Sequence, residues 1–294
     1  MTEYILEARD LEYKYPDGTK ALNGLSLSIE KGRKVSFLGP NGAGKSTLFL
    51  HFNGILRPSR GQVVFSGRDV RYDHASLMDL RQKVGIVFQD PDNQLFSASV
   101  WQEVSFGPMN MGLSKDEVRK RVNQALADTS IAGLENRPTH FLSEGQKKRV
   151  SIADILAMDP QLIIFDEPTA SLDPRLKLQV LNLMDRINLE GKTVVMSSHD
   201  VDLAYSWSDY IFVISEGRVA GQGAPETVFR DGDLIGRAGL ERPWLLEVYL
   251  ELAGKGLVSG VGPAPRSKEQ LFAMIGGPRA GGLKTVRLAS PGAR

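Results

Sequence analysis

The sequence predicts an α/β protein with a largely parallel sheet covered on both faces, and three observations predict it. Short apolar runs (VSFL, VVF, VGIVF, LIIFDE, TVVMSS, YIFVIS) recur along the 294 residues, helical stretches separate them, and a glycine-rich loop stands between VSFL and the helical STLFLHF. Strands buried on both faces need apolar runs rather than alternation, and parallel strands need long crossovers between them. With 41% of residues hydrophobic and 24% charged, the chain can bury one large domain and a smaller one.

Residues 3 to 37 alternate apolar and polar side chains (YILEARDLEYKY, then ALNGLSLSIEKG), with turn signals at Pro16-Asp17-Gly18 and Lys31-Gly32. Short antiparallel strands are expected there, ending in Val35-Ser36-Phe37-Leu38. The loop Gly39-Pro40-Asn41-Gly42-Ala43-Gly44-Lys45-Ser46 follows directly and fits G-x-x-x-x-G-K-[ST] in the strand-loop-helix setting that a phosphate loop requires. Its glycines let backbone amides wrap around phosphates, Lys45 reaches the β- and γ-phosphates, and Ser46, followed by Thr47, can ligate magnesium.

Between Gln89 and Ser143 the strand grammar stops, and a helical insert is expected over about 90–155. Within it Ser114 and Glu117 read as a capping box ahead of Val118, Val122, Ala125 and Leu126 at helical spacing. The insert runs on into LSEGQ, where Ser143 and Gln146 form a second S-x-x-Q capping box with Glu144 as the first helical residue. An acid in the first turn suits the helix dipole, and Lys148 lies one turn later to pair with it. A phosphate would then meet the Ser143 hydroxyl and the amide of Gly145, where a side chain would obstruct its approach.

Three further strand ends carry polar groups to one edge. Leu162–Phe165 ends in Asp166-Glu167, at the carboxyl edge where α/β sheets place ligands. Asp166 is placed to hold magnesium, mostly through water, and Glu167 is the best general base for water attacking a γ-phosphate. His199 closes VVMSSH as a candidate γ-phosphate donor, and Gln89 closes VGIVF as a neutral amide able to touch magnesium or the lytic water. Beyond about residue 234 two short helical patterns, WLLEVYLELA and SKEQLFAMI, are joined by the Gly/Pro-rich GLVSGVGPAPR. The expected organisation is a core domain over 1–234, a helical appendix over 235–278, and a disordered tail over 279–294.

Composition narrows the function classes. Thirty-six basic against 35 acidic residues leave a net charge of +1, so no global field argues for nucleic acid or an anionic membrane. The absence of cysteine excludes disulfides, thiolate metal sites and a Cys nucleophile. MTEYILEARD has no apolar h-region, and no run approaches the roughly 20 residues that span a bilayer, so neither export nor membrane insertion is expected.

Taken in order, GPNGAGKST, VFQD, LSEGQ, LIIFDEP, ASLD and SSHD resemble the ATP-binding subunit of an ABC transporter, and the resemblance runs from about residue 3 to 232. It implies a P-loop NTPase core and two subunits, identical or related, sandwiching two ATP molecules. Ser143, Gly145 and Gln146 of one subunit would cap the γ-phosphate held by the other's P-loop, with Asp173 of Ser171-Leu172-Asp173 nearby. Tyr15 matches the aromatic that stacks on adenine in this family, and Tyr13 is the alternative stacker. VFQDPDNQLFSASVWQEVSFGPMNMGL narrows the resemblance to energy-coupling-factor importers, the cobalt and nickel type (CbiO type) first and the vitamin type second. That implies hydrolysis of ATP with Mg2+ and a C-terminal appendix assisting dimerisation. It also implies a peripheral place on the cytoplasmic face of the cell membrane, held there by a transmembrane coupling subunit and a solute-binding membrane subunit. Asp90 and Asp92 could meet basic side chains of the coupling subunit, although Asp-Pro-Asp is also ordinary turn chemistry. A non-transport ABC ATPase acting on nucleic acid or ribosomes is the alternative; it predicts a basic face, tandem cassettes or a long coiled coil, none of which the sequence has.

Overall fold

The computed structural model describes residues 2–170 and 172–276. They divide into two compact units, one running to Glu241 and the other starting at Arg242.

The first unit holds two sheets. In the antiparallel sheet, β1 (Tyr4–Lys14) pairs with β2 (Lys20–Glu30) on one side and with β4 (Arg60–Phe65) on the other. β5 (Arg68–Asp69) completes the strand order β2-β1-β4-β5. The second sheet has the order β10-β9-β3-β8-β7-β6. It is built from β3 (Lys34–Leu38), β6 (Val84–Val87), β7 (Leu162–Phe165), β8 (Thr193–Ser197) and β9 (Tyr210–Ser215), all parallel, with β10 (Arg218–Gly223) antiparallel at one edge.

One strand differs from the sequence expectation. VVF belongs to β4 and pairs antiparallel with β1, not in the parallel sheet. The reason is local: Ser66 and Gly67 both have positive φ (47° and 75°), which makes the two-residue hairpin that turns the chain directly back into β5. Three apolar residues alone do not distinguish a strand of the parallel sheet from the buried end of an antiparallel one.

The parallel strands alternate between two cores. Leu162, Ile164, Val195 and Phe212 face a cluster shared with the antiparallel sheet and with α1 (Lys45–Phe52), in which Phe37 stacks on Phe212 at 5.1 Å and meets Phe49 edge-on at 5.3 Å. Ile163, Phe165, Val194 and Met196 face the opposite cluster, closed by α6 (Pro174–Leu189) and α7 (Val201–Trp207). Both faces are therefore packed in apolar clusters, which leaves the strand ends as the place for polar chemistry among the described residues.

After α2 (His74–Lys83) and β6 comes the helical insert, α3 (Val100–Asn110), α4 (Lys115–Asp128) and α5 (Glu144–Ala157), around its own core of Val104, Val122, Leu126, Val150 and Ala153. The four residues expected to be buried on α4 are buried. Ser114 accepts from the Glu117 amide as expected, but the Glu117 carboxylate turns to Arg121 at 3.0 Å rather than back to the cap.

The first unit runs past the boundary at 234 because α8 (Pro225–Arg230) leads into α9 (Gly232–Ala238), whose Leu234, Ile235 and Ala238 are buried and which lies against β9 and β10. In the second unit α10 (Trp244–Gly254) and α11 (Lys268–Gly276) pack on each other, with Lys268 Nζ 5.8 Å above the Trp244 ring and the Tyr249 hydroxyl donating to Ser259 O at 3.2 Å. The tail at 279–294 lies outside the described residues.

Candidate functional site

The phosphate loop leaves β3 at Gly39, whose φ of 142° and position admit no side chain: a Cβ there would stand 2.0 Å from Ile214 O. The loop ends at Gly44, left-handed at φ 103°, which gives α1 no side-chain cap, so the first-turn amides are left to an anion. Lys45 is buried, and its ammonium donates to Gly39 O at 2.7 Å and Pro40 O at 3.0 Å. Burial pushes its pKa below the usual lysine value, and the carboxylates of Glu167 and Asp166 oppose that shift. Asn41, Gly42 and Ser46 are exposed at the loop surface. Thr47 is buried and shares a 3.0 Å hydrogen bond with the Tyr15 hydroxyl. Tyr15 is therefore fixed beside α1, with Tyr13 edge-on to it at 5.0 Å and to His51 at 4.8 Å.

Across the sheet edge, β7 delivers Asp166 and Glu167, and a residue absent from the sequence reading orients both. Ser197, the last residue of β8, donates its hydroxyl to Asp166 Oδ1 at 2.5 Å and accepts the Glu167 amide at 2.9 Å. Glu167 has φ 47°, a left-handed conformation that a long side chain adopts only where its surroundings hold it. Its carboxylate is gripped on both oxygens: Gln89 Nε2 donates to Oε2 at 3.0 Å, and His199 Nε2 contacts Oε1. The structure thus brings Gln89, Asp166, Glu167 and His199 together, as their strand-end positions predicted, and Lys45 shares their electrostatic environment. The available donors suit magnesium, which prefers a few hard oxygen ligands and retains waters: the Ser46 hydroxyl, the Asp166 carboxylate and the Gln89 amide oxygen.

The LSEGQ residues lie on the helical insert. Ser143 caps α5, accepting from the Gln146 amide at 3.4 Å while its own amide donates to Gln146 Oε1 at 3.0 Å, so the expected capping box is complete. The expected Glu144–Lys148 pair is replaced by a tertiary contact. Lys148 turns inward and donates to Phe88 O at 2.8 Å and Gln89 O at 3.0 Å. Burial pushes its pKa down to about 8, against the pull of Asp166, Asp90, Glu144 and Glu167. Gly145 is explained in part by packing, since a Cβ on it would come within 2.6 Å of Leu176 Cδ1 on α6. Asp173 caps α6 through the amides of Arg175 and Leu176. Its neighbour Ser171 lies outside the described residues. Ser143, Gly145, Gln146 and Asp173 thus sit at the starts of two helices and make local capping and packing contacts there.

Asp90 and Asp92 behave as turn residues: Asp90 accepts the Asp92 amide at 2.9 Å, and Asp92 pairs with Lys147 at 2.6 Å. Beside them runs an apolar groove lined by Phe88, Phe96, Phe106, Met111 and Met158, with Asp154 in its wall. Burial pushes the Asp154 carboxyl up to about 7, and Gln94 Nε2 donates to it at 3.2 Å.

Three comparisons bear on this arrangement. The ABC transporter family model matches residues 22–170. An energy-coupling factor transporter ATP-binding protein from Methanococcus maripaludis is 51% identical over 239 residues, covering 81% of this chain and 86% of that protein. The corresponding protein from Methanocaldococcus jannaschii is 50% identical over 240 residues, covering 82% and 86%. Among solved structures, cbiO1 from Clostridium perfringens, described as part of the ABC transporter complex cbiONQ, matches with a TM-score of 0.71 at 50% identity, covering 80% of this chain and 94% of that one. A dimeric ATP-binding cassette in a post-hydrolysis state bound to ADP and Pi matches with a TM-score of 0.69 at 29% identity, covering 75% and 98%.

Proposed function

The chain belongs to the ABC transporter ATP-binding family, and from that premise we propose that it is the ATP-hydrolysing subunit of an energy-coupling-factor importer, with a cobalt or nickel ion as the first-choice solute and a vitamin as the second. The observation that carries the reading is the double grip on Glu167 by Gln89 and His199 at the edge shared with Lys45. In this reading the phosphate loop, the α1 amides and Lys45 hold the ATP phosphates, and Tyr15 stands beside the adenine. Glu167 takes the proton of the attacking water, and Gln89 orients that water. His199 donates to the γ-phosphate, where negative charge must be stabilised as the bond breaks. Ser46, Asp166 and Gln89 would hold magnesium, which supplies charge neutralisation between the phosphates.

A second cassette, a copy or a relative, would bring its Ser143, Gly145, Gln146 and Asp173 to the same ATP. The position of Ser143 and Gly145 at the start of α5 supports this, because first-turn amides are suited to an anion. Binding then closes the pair and hydrolysis reopens it. Among the described residues no helix is long and apolar enough to cross a membrane. The proposed attachment is therefore peripheral, through a transmembrane coupling subunit seated in the groove by Phe96 and Asp154, with a solute-binding membrane subunit beside it.

Lys45→Ala tests the phosphate loop. ATP affinity, measured with a fluorescent ATP analogue, is expected to fall about 10- to 100-fold, the worth of hydrogen bonds to a charged group. Unchanged affinity would remove the loop from the site. The solute is tested separately, by purifying the complex from membranes and determining the bound metal or vitamin; a complex carrying neither class would end that part of the proposal.

A further inference from the structure

The loop 88–94 joins the parallel sheet to the helical insert; its turn is closed by bonds within the loop, and α5 holds its backbone at two carbonyls. The Phe88 backbone amide donates to Gln94 Oε1 at 3.2 Å, and Gln94 Nε2 donates in turn to Ser151 O at 2.9 Å and Asp154 Oδ2 at 3.2 Å. The Phe88 and Gln89 carbonyls both accept from Lys148 Nζ, and Lys147 pairs with Asp92. Lys148 is 3% exposed, so its ammonium depends on these two carbonyls as partners. From the same loop the Gln89 side chain reaches Glu167 Oε2.

We propose that Lys148 is a positioning residue for ATP hydrolysis: by binding two successive loop carbonyls it fastens Gln89 to α5, so that the helix start at Ser143 and the Gln89 amide shift as one body. This rests on the reading that Gln89 and Glu167 serve hydrolysis. A compact ammonium with three donors can serve two carbonyls at once, which a single neutral donor cannot. A displacement of α5 then becomes a displacement of Gln89 against Glu167, with no intervening flexible link. Gln94 supports the same attachment from the other side of the Phe88 peptide.

The test is a double-mutant cycle on the full-length chain in its purified complex, using Lys148→Met, Gln89→Ala and the pair, with kcat and KM for ATP read together. Lys148→Met is expected to lower kcat about 10- to 100-fold, the usual cost of misplacing a catalytic group by around an ångström, with KM within about twofold. In the Gln89→Ala background it should lower kcat no further. Hydrogen exchange at the 88–94 amides should quicken in Lys148→Met while the strands of the parallel sheet keep their protection. Should Lys148→Met not fold, Lys148→Gln, which can reach one carbonyl, takes its place in the cycle with a smaller fall expected. Equal fold-losses in the two backgrounds, or an unchanged kcat, overturn the proposal while leaving Gln89 in the site. Unchanged turnover in Gln89→Ala overturns the underlying reading, and this proposal with it.

Discussion

Glu167 holds a left-handed backbone that costs on the order of 1–3 kcal/mol for a residue of its type, and the contacts that offset it are specific. Its amide bonds to Ser197, and its two carboxylate oxygens meet Gln89 and His199. Asp166 was readable as an acid at a strand end, but Ser197 was not, because a serine closing a strand has no signature until the neighbouring strand is paired beside it. Asp154 is a second acid with consequences. Its folded pKa of about 7 lies above the usual carboxylate value, so from about pH 4 to 7 the unfolded chain gives up a proton that the folded chain keeps. Stability contributed by this group falls across that window, and the loss is complete above the folded value. Asp154→Asn, which keeps an oxygen for Gln94, is therefore expected to raise unfolding stability by on the order of 1–3 kcal/mol at pH 8 and by less at pH 5, measured by urea denaturation at both values. Equal effects at the two pH values would show that the carboxyl titrates normally.

Helix α5 is where local sequence rules and tertiary structure divide most sharply. Its capping box was legible because Ser143 and Gln146 are close in sequence and need no partner elsewhere. The Glu144–Lys148 pair obeyed the same kind of rule yet does not describe the structure, because two carbonyls of the loop at 88–89 offered the ammonium a buried alternative. Strand VVF departs from the sequence expectation for a similar reason: its partner is decided by the Ser66-Gly67 hairpin, a turn signal outside the run itself. Gly145 remains to be divided between packing and phosphate approach. Leu176 Cδ1 is the end of a movable side chain, so Gly145→Ala should change the urea unfolding free energy by no more than about 1 kcal/mol, with helix propensity offsetting the contact. If the glycine serves an incoming phosphate, ATP turnover falls in the same variant. A large loss of stability with normal turnover per folded molecule would assign it to packing alone.

At the scale of the molecule, the two-faced parallel sheet buries its apolar strands and sends Gly39, Gln89, Asp166 and His199 out at one edge, where the family's nucleotide chemistry belongs. In the proposed function a second cassette brings its LSEGQ helix start to this edge. The second unit, α10 and α11, exposes Val261 and Phe272, and the resemblance assigned it to the same pairing. In the proposed function Glu167 is the base of an ATP site closed by two cassettes. Glu167→Gln keeps the shape of that side chain and removes its basicity, so it separates binding from chemistry. Light scattering on this variant with ATP and magnesium, alongside phosphate release, is expected to give a stable dimer that binds ATP as tightly as the wild type and turns over about 10²- to 10⁴-fold more slowly. Wild-type phosphate release, or a chain that stays monomeric with ATP bound, would contradict it.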